Sequence, residues 1–70
     1  MTPEQIGQIV KYHRKKAGLT QLELATLAGV GKTVVFDIEK GKSSIQLDTL
    51  LKILDALNIQ IELKVPELRA

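Results

Sequence analysis

Apolar and polar positions alternate with two different periods along this chain, and the change of period divides it. From Pro3 onward, Ile6, Val10, His13 and Ala17 recur at three- and four-residue steps with Ile9 beside them, while Lys11, Lys15 and Lys16 fall elsewhere. That spacing predicts a helix with one inward face. Thr2-Pro3-Glu4-Gln5 marks its start: Thr2 can cap, Pro3 suits the first helical position, and Gln5 stands where a capping box needs Glu or Gln. Gly18 stops it. Thr20-Gln21-Leu22-Glu23 repeats the capping signature, and Leu24, Ala25 and Ala28 give a short apolar face before Gly29, which predicts a second helix of about two turns. Gly29-Val30-Gly31 reads as a turn with one residue to bury. A third helix follows from Lys32 to Lys40, with Val35 and Ile38 inward and Gly41 as its stop.

Leu47, Leu50, Leu51, Leu54 and Leu57, with Ile53 between, make a further helix-period stripe, closed by Asn58. Beyond it the period falls to two. Ile59, Ile61, Leu63 and Val65 alternate with Gln60, Glu62 and Lys64, the pattern of a half-buried strand, and Pro66 ends it. The chain therefore divides into a helical domain, residues 1–58, and a strand and tail, residues 59–70. A lone strand cannot satisfy its own backbone donors and acceptors, and no other segment reads as its partner. The expected partner is a second copy: an antiparallel ribbon across a twofold axis, with Leu57, Ile59, Ile61, Leu63 and Val65 at the dimer interface; the alternative is a tail flattened against its own domain or disordered when free.

Composition supports that expectation. Seventy residues bury a small core, and the usual reinforcements are disulfides, a metal or a second subunit. With no Cys and one His, His13, neither a disulfide framework nor a metal site is expected, and no cofactor is called for. His13, on the inward stripe, reads as a core histidine. No acid, base and nucleophile constellation stands out, so an enzyme is not expected. There is no apolar run long enough for a membrane span and no signal-peptide pattern, which makes the cytoplasm the default location. The net charge is only +2, but Lys11 to Lys42 holds seven basic residues against three acids, so that segment carries +4.

Two short helices joined by a tight glycine-containing turn, the second followed by Gly41-Lys42, have the layout of a helix-turn-helix, whose second helix lies in the major groove of DNA. Thr20-Gln21-x-Glu23-Leu24-Ala25-x-x-Ala28-Gly29-Val30-Gly31, then Val35 and Ile38-Glu39-Lys40-Gly41-Lys42, resembles the lambdoid phage repressor and Cro class, the XRE-type regulators. The stretch from Leu47 to Leu57 and the strand-like tail extend the resemblance to the HipB subfamily, over about Ile6 to Val65. The resemblance implies a mainly α, four- to five-helix lambda-repressor-like domain with a C-terminal β-strand pairing across a homodimer. It also implies a dimeric repressor that binds operators in its own promoter and partners a HipA-type serine/threonine kinase toxin as its antitoxin. It further implies a structural ion pair between Arg14 and Glu39.

With Val35 and Ile38 inward, helical geometry turns Lys32, Thr33, Phe36 and Asp37 outward as base-reading candidates. Lys32 can donate to guanine, Thr33 can take either role, Asp37 can accept from cytosine, and Phe36 can pack on a thymine methyl. Alternatively, Lys32 meets a phosphate, Asp37 forms a local ion pair, and Phe36 faces a protein partner. Gln21, at the start of the second helix, is the leading phosphate candidate, followed by Lys40, Lys42 and Ser43, with Ser44 beside them. Double-stranded DNA with inverted half-sites, spaced roughly 34 to 36 Å apart, is the expected ligand. The rival expectation is a protein-interaction subunit of the same fold with little specific DNA binding.

Overall fold

A computed structural model describes residues 1–66. Four helices make the fold: α1 (Pro3–Lys16), α2 (Gln21–Ala28), α3 (Lys32–Glu39) and α4 (Leu47–Ala56). Both capping boxes form as their residue types dictate. Thr2 Oγ1 accepts from the Gln5 amide at 3.1 Å while Gln5 Oε1 accepts from the Thr2 amide at 2.8 Å, and Thr20 and Glu23 repeat the exchange at 3.0 and 2.8 Å. Gly29 ends α2 at φ +74°, a conformation that costs a side chain but not a glycine. Its successor Val30 tucks back against the core, with its amide bonded to the Ala25 carbonyl at 2.9 Å. Asn58 closes α4 at φ +58°, a left-handed conformation that asparagine tolerates.

The core is small and shared by all four helices: Val10 from α1, Leu24 and Ala25 from α2, Val35 and Ile38 from α3, Ile53 and Leu54 from α4. Helix α3 packs on both α1 and α2, and α4 closes the other side of α2. The second helix of the motif is thus held from behind by two elements, which leaves its opposite face to solvent.

The inward face of α1 differs from the expected stripe. Gly7, Val10 and Arg14 are buried, whereas His13 and Ala17 are exposed. His13 is not a core histidine; it lies on the surface, edge to face with the Tyr12 ring at a centroid separation of 5.1 Å. The cause is Gly7. A Cβ there would run into the carbonyl oxygen of Ile38, so its absence lets α1 lie directly on the end of α3 and rotates the contact face toward Gly7 and Arg14.

Helix α4 also departs from a single stripe. Ile53 and Leu54 are buried and Leu50 and Leu57 half-buried, but Leu47 and Leu51 face outward, 66% and 44% exposed. After Asn58, the expected strand is not formed among the described residues: 59–65 carry no ladder. A strand is defined by its partner, and none for this segment is present among the described residues. Leu57 and Ile59, expected at a dimer interface, pack against the chain's own core, while Ile61, Leu63 and Val65 are 49%, 85% and 55% exposed. Residues 67–70 of the expected tail lie outside the described residues.

Candidate nucleic-acid interface

Side chains buried behind α3 determine what its free face presents. Val35 and Ile38 are 0% and 3% exposed, so Lys32, Thr33 and Phe36 are turned outward at the N-terminal end of the helix. Together with Gln21 from the start of α2 they line one open hollow. Gly31 caps α3 without a side chain, and no acidic residue stands in its first turn, in contrast to the two boxed helices. The positive end of its dipole is therefore not offset locally and faces the same side as Lys32.

Phe36 is 46% exposed, a large apolar ring kept at the surface in the middle of this face. Lys40, one turn on, carries its ammonium 5.5 Å from the centre of that ring, which steadies both side chains. Asp37 points to a different flank. Its carboxylate lies 3.5 Å from the Lys42 ammonium, so this base-reading candidate and this phosphate candidate neutralise each other in the free protein. Ser44 lines a separate hollow beside them with Val34 and Ile45. Ser43 is exposed in the loop after α3 and lines none of these hollows. The fold thus gathers Gln21, Lys32, Thr33 and Phe36 with Lys40 adjoining, and separates Asp37, Lys42 and the serines from them.

The structural pair expected between α1 and α3 is present. Arg14 Nε donates to Glu39 Oε2 at 2.6 Å and Arg14 Nη2 to Oε1 at 3.0 Å, a two-pronged contact that a guanidinium makes and an ammonium cannot. Its third nitrogen, Nη1, donates to the Leu19 carbonyl at 2.8 Å, tying down the turn into α2. Both side chains are nearly withdrawn from water, at 9% and 4% exposure. The hydrogen bond to Glu39 raises the Arg14 pKa above its ordinary value, against the effect of burial. Burial by itself pushes the Glu39 carboxyl up. The hydrogen bonds from Arg14 and Gln21 and the charges of Arg14 and Lys11 outweigh it, so the group titrates below its ordinary value.

Gln21 joins this network: its Nε2 donates to Glu39 Oε1 at 3.2 Å. The amide is held from inside the protein, with one N–H spent on Glu39 and a second left to donate outward. The sequence pattern puts Gln21 at a helix start and the resemblance implies an ion pair for Glu39, but 18 residues separate the two and nothing local joins them. The pattern also gave no role to Lys11 and Lys15. In the fold these line a hollow with Lys40 and Phe36, next to the one at the start of α3. Their i, i+4 spacing within the basic segment was the signal that could have found them.

Comparison with known proteins agrees with this architecture. The helix-turn-helix family HTH_3 matches over residues 10–64. An uncharacterised HTH-type transcriptional regulator of Sinorhizobium fredii is 40% identical over 65 residues, covering 93% of this chain and 86% of that protein. The immunity repressor protein of Bacillus phage phi105 is 37% identical over 62 residues, covering 89% of this chain and 43% of the phage protein, so the chain spans less than half of that relative. Among solved structures, the HipA-HipB-O2-O3 complex contains a chain that superposes with a TM-score of 0.84 at 28% identity, covering 96% of this chain and 94% of the other. The HipB-O4 20mer complex gives 0.83 at 28% identity, with coverage of 96% and 94%.

Proposed function

This chain belongs to the HTH_3 helix-turn-helix family of DNA-binding transcriptional regulators, and from that premise we propose that it is a sequence-specific repressor acting as a homodimer on inverted half-sites. The observation that carries this reading is the grouping of Gln21, Lys32, Thr33 and Phe36 around one open hollow at the start of α3, with Val35 and Ile38 buried behind it. Lys32, Thr33 and Phe36 read bases and Gln21 donates to a phosphate, its amide pre-oriented by Glu39. Asp37 reads a base, and Lys42 and Ser43 reach the flanking backbone, once the Asp37 to Lys42 pair opens. Lys40 binds the backbone from the end of the helix.

Residues 1–58 form the DNA-binding unit and 59–70 the dimerisation segment. Ile61, Leu63 and Val65 alternate along a stretch that forms no ladder among the described residues, and pairing two such stretches as strands across a twofold axis would satisfy their backbone groups and cover their side chains. Because HipB has been solved together with HipA, and this chain matches it over 96% of its length, the partner we assign is a HipA-type kinase toxin, with autoregulation of the shared promoter.

Fluorescence anisotropy on the duplex upstream of the gene, against a scrambled duplex of equal length, tests the reading. Preference for its own DNA by about a thousandfold or more is expected. Equal, steeply salt-dependent binding to both sinks the operator reading. That outcome favours an interaction subunit, a role to which the exposed Phe36 ring is also suited.

A further inference from the structure

Lys11 and Lys15 sit one turn apart on α1 and are both exposed, so their side chains leave the same face of the helix. With Lys40 from the end of α3 they line a hollow that also includes Arg14, Glu39 and Gln21. Glu39 is the one carboxylate there, and Arg14 already satisfies both of its oxygens. Among the described residues none of the three lysines has a carboxylate within 4.0 Å, and Lys11 acts on Glu39 only through its longer-range charge. Lys42, the other basic residue after α3, is engaged by Asp37 at 3.5 Å. Lys16 lines a different hollow, with His13, Leu19 and Leu27, and its ammonium lies 5.8 Å from the centre of the Tyr12 ring. The hollow shares Gln21 and Phe36 with the one at the start of α3, so the two adjoin.

We propose that the hollow between α1 and α3 seats the DNA backbone, with Lys11, Lys15 and Lys40 neutralising its phosphates, so that α1 is part of the nucleic-acid interface. The inference rests on the DNA-binding reading above and extends it to residues outside the helix-turn-helix. Compact ammonium groups with no carboxylate to release are free to exchange their mobile counterions for phosphates, whereas Lys42 must first give up Asp37. The Arg14 guanidinium has its Nε and both terminal nitrogens engaged within the protein, so it braces the hollow and the lysines carry the net charge.

The test is the salt dependence of binding by the full chain. Anisotropy titrations across a salt series, on the upstream and the scrambled duplex, compare the wild type with Lys11→Ala, Lys15→Ala and Lys16→Ala. Removing one lysine that neutralises a phosphate reduces the slope of log K against log salt by about 0.9. Lys11→Ala and Lys15→Ala are each expected to show that reduction on both duplexes, with the ratio of affinities between duplexes preserved and, for Lys15→Ala, the thermal midpoint unmoved. Lys16→Ala is expected to keep the wild-type slope. Unchanged slopes for Lys11→Ala and Lys15→Ala, or an equal reduction from Lys16→Ala, overturn the proposal. Equal wild-type affinity for the two duplexes overturns the sequence-reading repressor while the slopes still decide the hollow. No binding to either duplex overturns both.

Discussion

Arg14, Gln21 and Glu39 come from three different helices and meet at one carboxylate, which makes Glu39 the residue on which the position of α3 most depends. Removing one partner leaves a nearly buried charge alone, so Glu39→Ala is expected to lose about 3 to 5 kcal/mol in urea unfolding, a large part of what so small a domain has. The pair also dictates a pH dependence. The folded Glu39 pKa lies below its unfolded value of about 4.3, so its contribution is complete above that pH and is lost as pH falls through the lower folded value. Acid titration of stability should show this component in the wild type and lack it in Glu39→Ala. Gly7→Ala is a second case. Helix propensity alone favours alanine by up to about 1 kcal/mol, but the new Cβ meets the Ile38 carbonyl, backbone that cannot swing away, and a net loss of about 1 to 3 kcal/mol is expected by the same unfolding measurement. On the DNA face, Lys32→Ala should cost about 1 to 3 kcal/mol on the upstream duplex and relax discrimination at one base position, read from a panel of single-substitution duplexes.

The helices show where sequence pattern suffices and where it fails. Both capping boxes were legible in four-residue stretches because the cap bonds are local, spanning three residues each. Thr20→Ala should therefore destabilise the domain by about 1 kcal/mol, with loss of the α2 amide protection in hydrogen exchange as the local readout. The inward face of α3 was legible for a similar reason, since an eight-residue helix with Val35 and Ile38 as a spaced apolar pair has one way to bury them. The face of α1 was not. His13 and Ala17 fit the period as well as Gly7 and Arg14 do, and a glycine and an arginine do not score as apolar. Only contact with α3 distinguishes the two registers, because the glycine permits the approach and the arginine finds Glu39 there. Leucine-rich α4 misled in the opposite way: Leu47 and Leu51 belong to the period and yet face solvent, since one short helix packed on α2 has more apolar faces than neighbours to cover them.

At the scale of the whole molecule the exposed apolar residues of the C-terminal segment carry the next expectation. Truncation after Asn58 should convert dimers to monomers in analytical ultracentrifugation and weaken DNA binding by more than about tenfold, because two half-sites no longer bind together. A dimer of undiminished affinity after truncation removes the strand argument. Among the described residues no helix is long and apolar enough to span a membrane. Four helices, the two capping boxes, the stops at Gly18, Gly29, Gly41 and Asn58, the buried Val35 and Ile38, and hence the outward set Lys32, Thr33 and Phe36, were all legible in the chain's local pattern, since these follow from short-range periodicity and local hydrogen bonding. The packing of the helices was needed to settle which face of α1 is buried, that Gln21 is steadied by Glu39, and that Lys11 and Lys15 stand beside Lys40, whereas the pair of Asp37 with Lys42 realises the local ion pair open to Asp37 from its sequence position. Separation along the chain explains the difference: each of the first three is a meeting of groups on different helices, and no local pattern encodes the rotation and approach of one helix against another.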